Sequence, residues 1–207
     1  AAALDTTAAG DLWDNTLINT TSALSTRKAP IASTSGDNLM VYSLPTLVDG
    51  LAVAGSYQAA NTTGSGSTAF GATYSGIEGL SLSYGQGSSD DVKDVSGDQT
   101  IMKASYAYGP ITVGASNNDF DHTTASNDQE VSSVSLSYTV SDQISVSYGE
   151  ETIDRSGSPS DIEVTGVSIS YTSGGMTASF TQVEAENVDH SAGLDKEVWN
   201  IGLSFAF

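Results

Sequence analysis

The stretch VWNIGLSFAF, Val198 to Phe207, decides how this chain is read. Trp199, Ile201, Leu203, Phe205 and Phe207 fall on one parity, and Asn200, Gly202, Ser204 and Ala206 fall on the other. Successive side chains of a strand point to opposite faces, so the stretch predicts a strand with one wholly apolar face and one small, polar face. VSLSYTV from Val134 repeats the pattern, setting Val134, Leu136, Tyr138 and Val140 against Ser133, Ser135, Ser137 and Thr139. LSLSY from Leu80, ISVSY from Ile144 and VSISY from Val167 do the same. In a soluble sandwich the solvent face would usually carry Lys, Glu and Arg. A polar face of Ser, Thr, Gly and Asn instead suits enclosed water, with lipid against the apolar face.

Working outward, the same unit recurs from Asp37 to the end, and eleven strands are predicted. The breaks between them alternate. PTLVDG, SGIEG, GP, SDQ and TSGG are short turns, whereas NTTGSGS, GSSDDVKDVSGD, NNDFDHTTASND, ETIDRSGSPSD and EAENVDHSAGLDK are long, polar and acidic. That asymmetry predicts an all-β transmembrane antiparallel β-barrel with short periplasmic turns and long external loops. Tyr74, Tyr108, Tyr138 and Tyr171 stand at short-turn ends on the apolar parity, as an interfacial aromatic girdle requires. The loops are expected to hold the charge and the strands to stop short of it, with strand six ending near Ser116, strand eight near Gly149 and strand ten near Val183.

Composition narrows the function. The 207 residues carry no cysteine, which excludes disulfides and thiol chemistry. Six Lys and Arg against 25 Asp and Glu give a net charge of −19 with no basic stripe, so a nucleic-acid partner is not expected. No run approaches the roughly 20 apolar residues of a transmembrane helix, so any crossing of a membrane is made by strands.

The segment DNLMVYSLPTLVDGLAVAGSYQ (Asp37 to Gln58), with Arg27 before it, resembles the sixth strand, following turn and seventh strand of the Gram-negative general porins. The terminal NIGLSFAF resembles the last strand of outer-membrane barrels, which ends in Phe. The resemblance implies a barrel of 16 strands in full, of which this chain holds the C-terminal eleven, so further strands are expected upstream of Ala1. It implies that residues 1–36 are a constriction-loop-like segment, with LWDNTLINTTSAL able to supply a short helix, and that residues 37–207 form the barrel strands. It further implies a bacterial outer-membrane homotrimer, in contact with outer-membrane lipid, that lets small hydrophilic solutes and ions diffuse passively. Asp5, Asp11 and Asp14, with Arg27 and Lys28, are then expected at the pore constriction. Lys103 joins them because its parity points it into water, a charge on the lipid face costing about 2 to 4 kcal/mol. The family often carries a basic residue before the Tyr of the sixth strand; here that position is Val41, so the basic wall is reduced.

Nothing in the sequence assembles a catalytic site, a metal site or a cofactor site. His122 and His190 are expected as solvated residues of acidic external loops. Asp90, Asp91, Asp94 and Asp98 do not have EF-hand spacing. A cation-preferring pore, not an enzyme, is therefore expected; the alternative is a non-channel outer-membrane or surface β protein acting as adhesin or structural component.

Overall fold

A computed structural model describes residues 39–60, 66–89 and 96–206. They form eleven strands: β1 (Leu39–Ser43), β2 (Leu51–Gln58), β3 (Ser67–Tyr74), β4 (Leu80–Ser89), β5 (Gly97–Tyr108), β6 (Ile111–His122), β7 (Gln129–Thr139), β8 (Ile144–Arg155), β9 (Ile162–Ser173), β10 (Met176–Glu186) and β11 (Lys196–Phe205). Each pairs antiparallel with the next, in one sheet whose spatial order is the chain order. Among the described residues β1 and β11 do not pair with one another, so the sheet is an open barrel wall. No described helix is long and apolar enough to cross a membrane. Phe207 and the segment 1–36, including its expected helix, lie outside the described residues.

The hairpins follow from local chemistry. Gly174 and Gly175 alone link β9 to β10, at φ of 56° and 83°, the left-handed backbone that a two-residue turn matched to strand twist demands. Gly50, at φ 75°, sits where neighbouring turns meet, its carbonyl accepting the Ser75 N–H at 2.8 Å. A Cβ there would fall 2.3 Å from Gly76 Cα, which is backbone and cannot swing away. Gly50→Ala is therefore expected to destabilise the sheet by at least about 1 kcal/mol in urea unfolding. Gly174→Asn, with nothing within 4 Å of its Cβ position, should be close to neutral.

Register fixes the faces. Tyr138 pairs with Val146, Tyr148 with Val167, Gln182 with both Val167 and Trp199, and Phe180 with Ile201, so the apolar parity is continuous from strand to strand. This outer face leaves Leu136, Tyr138, Ile169, Trp199, Ile201 and Leu203 exposed. Tyr108, Tyr138 and Tyr171 are exposed at the short-turn end, while Tyr74 is half-buried there. A second row of rings was not anticipated: Tyr57, Tyr84, Tyr148 and Trp199 lie toward the other end of the same face.

The strands do not stop where the apolar pattern stops. β6 runs on to His122, β8 to Arg155 and β10 to Glu186, several residues past the expected ends. The acidic residues Asp119, Asp121, Glu150, Glu151, Asp154 and Glu186, expected in loops, are thus strand residues. The reason is backbone pairing: Asp119 lies opposite Glu130, and Glu150 opposite Val134 and Thr165, so the ladders continue into water whatever the side chains.

Candidate functional site

The inner face, opposite the exposed apolar one, is built from the small residues of each alternation. Its hydroxyls meet across strands: Ser116 with Ser133 at 2.6 Å, Ser145 with Ser170 at 2.7 Å, Thr172 with Thr177 at 3.0 Å, and Thr73 with Ser83 at 3.2 Å. Each directly opposed pair forms where register places two hydroxyls side by side, which ties neighbouring strands together while keeping the wall polar. Lys103 lies on this face, opposite Ser83 and Ser116. Val41 does too, opposite Ser56, so the position before Tyr42 presents an aliphatic group where a basic one was in question. Asp5, Asp11, Asp14, Arg27 and Lys28 lie outside the described residues.

Toward the long-loop end the inner face changes character. Val131, Ile153, Ile162, Val164, Val183 and Ala185 form a buried cluster, with Val188 packed on it from the β10–β11 loop and Val198 at its margin. All the strand members have inner-face parity: Val183 pairs with Val198, and Val131 with Ile153. A wall polar throughout was expected; at this end it is instead an apolar core covered by its own loop. A smaller cluster of Ile101 and Phe120, with Ala69 against it, occupies the same face across β3, β5 and β6.

Both histidines depart from the solvated reading. His190 is 4% exposed, and its Nδ1 stands 2.8 Å from the Ser160 carbonyl, so Nδ1 carries the proton and donates. His122 ends β6 with its Nδ1 accepting the Thr124 N–H at 2.8 Å, and its ring meets Phe120 edge to face at 5.9 Å. These residues sit in polar stretches, and their burial comes from packing across strands that no local pattern reports.

The outer face turns acidic above the second row of rings. Asn117 donates to Glu130 at 2.6 Å, Tyr148 to Glu150, and Gln182 to Glu197. Crowding there has an electrostatic consequence. Asp119 is held above the usual carboxylate range, first by partial desolvation and then by the Asp121, Glu130 and Asp128 carboxylates. Asp154 is raised by desolvation and by Asp161, which also hydrogen-bonds it, against an opposing pull from His190. A folded value above the unfolded one means that the ionised form costs stability at neutral pH, and that the cost fades as pH falls through the raised value. Asp119→Asn is therefore expected to stabilise the protein at pH 7 and to lose that advantage below about pH 4, where Asp itself becomes neutral. Denaturant midpoints at the two pH values check this. No group of three or more His, Cys, Asp or Glu among the described residues could hold a metal ion.

A continuous antiparallel wall, apolar outside between two rows of rings and hydroxylated inside, defines a transmembrane β-barrel protein. The chain belongs to the Gram-negative porin family, whose model matches residues 1–158, and this places it in the bacterial outer membrane. No match to this sequence is found among curated proteins. Among solved structures, a porin refined at 1.8 Å is similar at 18% identity and a TM-score of 0.62, over 86% of this chain and 65% of that one. OmpF of Salmonella typhi, in a complex with daunomycin, is similar at 13% identity and a TM-score of 0.66, over 81% and 61%. OccK3 of Pseudomonas aeruginosa is similar at 14% identity and a TM-score of 0.60, over 81% and 58%. At these identities the likeness is one of fold. This chain thus spans about three fifths of the length of those porins.

Proposed function

We propose that this chain forms part of the wall of a water-filled outer-membrane channel through which small hydrophilic solutes diffuse passively, with a preference for cations. The observation that carries the reading is the pair of faces on one sheet: exposed apolar side chains on one, hydroxyls paired across strands on the other. The cation preference is supported by the long-loop end, where Asp119, Asp121, Glu130, Glu150, Asp154 and Glu163 outweigh Arg155 and Lys196. Carboxylates at a mouth hold a negative potential that concentrates cations. In this reading Asp5, Asp11 and Asp14, with Arg27 and Lys28 at the other end of the same segment, narrow the pore together with Lys103 of the wall, and the protein works as a homotrimer.

The test is reversal potential across planar bilayers holding the natural full-length protein, with a salt gradient at several mean concentrations. The Debye length shrinks from about 30 Å at 0.01 M to about 3 Å at 1 M, so selectivity from mouth charges should fall steeply over that range. Charges at a constriction act at closer range and should leave a remnant at high salt. Anion preference at all salt concentrations would overturn the charge assignment, and the absence of any conductance would overturn the channel.

A further inference from the structure

The segment between β10 and β11, residues 187–195, does not rise away from the sheet but folds back over its inner face. Val188 is fully buried in the cluster of Ile153, Ile162, Val164 and Val183, whose side chains all have inner-face parity. Asn187 Nδ2 donates to the Asp161 carbonyl at 3.1 Å, and His190 Nδ1 lies 2.8 Å from the Ser160 carbonyl. The segment therefore reaches across β9 to the β8–β9 loop. It also closes on itself. Val188 N–H donates to the Leu194 carbonyl at 2.7 Å, Gly193 N–H to Asn187 Oδ1 at 3.1 Å, and Asn187 N–H to Asp195 Oδ1 at 3.2 Å.

The backbone is bent to suit this position. Asn187, Asp189 and His190 have left-handed φ of 53°, 58° and 56°, and among the described residues no other non-glycine residue does. Such backbone persists where surrounding contacts impose it, and it collects at functional segments. Its effect falls on Asp189. Val188 and His190, on either side of it, are both buried toward the wall, so the exposed Asp189 side chain leaves the segment on the side away from the wall. We infer that residues 187–195 form an inward shelf at the long-loop mouth of the pore, and that Asp189 at its crest is a selectivity-determining residue. It attracts cationic solutes and repels anionic ones at contact range. This rests on the channel reading above and names a residue for it.

The other charges at this end are placed differently. Glu151 of β8 shares the inner face but is 4% exposed, so passing solute does not reach it. Arg155, at the end of β8, is half-buried and donates through Nη2 to Asn127 Oδ1 at 2.8 Å, toward the β6–β7 loop. Lys196 is half-buried where β11 begins, and Asp195 is engaged by the Asn187 N–H. Asp154, Glu163, Glu184 and Glu186 have outer-face parity, so the wall stands between them and the path. Charges behind the wall act through a long-range potential that salt screens, whereas a carboxylate touching the path acts on solute directly.

Asparagine adopts left-handed backbone as readily as aspartate, so Asp189→Asn removes the charge and leaves the shelf standing. Glu186→Gln, which removes an outer-face carboxylate close by in the chain, is the comparison. Reversal potentials are read in planar bilayers holding the natural full-length protein in a gradient about 1 M salt, where the Debye length is about 3 Å. Asp189→Asn should lower the cation-to-anion permeability ratio about twofold, and Glu186→Gln should leave it unchanged. A second measurement uses the absence of cysteine from the chain. A cationic thiosulfonate reagent should cut the single-channel conductance of Asp189→Cys and leave that of Glu186→Cys as it was. Should the Cys variant at 189 fail to assemble, the Asn variant decides. Channels that conduct but respond alike at the two positions overturn the shelf alone, whereas no conductance from the unaltered protein overturns the channel reading beneath it.

Discussion

Leu203→Arg is expected to abolish efficient membrane insertion or to strip the proposed homotrimer to monomers. Leu203 points outward from β11, is 59% exposed, and stands between Ile201 and Phe205 on the apolar face. An arginine on that band costs about 2 to 4 kcal/mol if it lies at the bilayer midplane and less toward either rim. The companion variant is Ser204→Arg, one residue on and one face over, which should insert as the unaltered protein does because its side chain enters water. Yield of heat-modifiable folded protein, with the trimer-to-monomer ratio on unheated gels, separates the cases. Loss of folded protein indicates that Leu203 faces lipid, whereas folded monomers indicate that it faces another subunit. Equal tolerance of both arginines would refute the parity assigned to β11.

The second large effect is expected at the long-loop end of the inner face. Ile153 is 1% exposed within the apolar cluster, opposite Val131 and Ile162. Truncating a buried isoleucine to alanine costs about 2 to 5 kcal/mol, combining lost transfer energy with the cavity left behind. This cluster lies at the strand ends, so the cost is expected as local opening and not as collapse of the membrane-spanning ladder. Each 1.4 kcal/mol is about tenfold in an opening equilibrium, so amides of residues 150–155 and 187–190 in Ile153→Ala should exchange tens to thousands of times faster. Thr152→Ala, on the opposite face, should leave them within a few-fold of normal. If Ile153→Ala changes nothing there, the cluster is not packed as described.

Local pattern was enough for much of this architecture. The parity of Trp199, Ile201, Leu203 and Phe205, repeated at Val134 and Leu136, gave the strand count, the two faces and the side on which Tyr108, Tyr138 and Tyr171 gather. Lys103 could be assigned to the inner face for the same reason. These features are legible because lipid tolerates no unpaired backbone and few charges, so every spanning segment must show the period-2 signature. The second row of rings was equally available in the spacing of Tyr148 and Trp199, but it follows only once register puts both opposite the level of Val167 and Gln182.

What lies beyond the membrane band was decided by tertiary structure. In water a strand need not alternate, and acidic residues such as Asp119 and Glu151 look like loop; they are held in the ladder by neighbouring strands that continue beside them. One signal was present in the sequence. At Ile153, Ile162, Val164 and Val183 the apolar residues move to the parity that elsewhere holds Ser and Gly, which marks a second buried surface on the opposite face. That this surface would be covered by residues 187–195, with His190 buried beside Val188, required strands distant in sequence to meet. The sequence by itself therefore determined the wall, through a constraint imposed residue by residue by lipid, whereas the packing at its long-loop end depended on contacts among β7, β8, β9, β10 and their connecting loop that no single segment encodes.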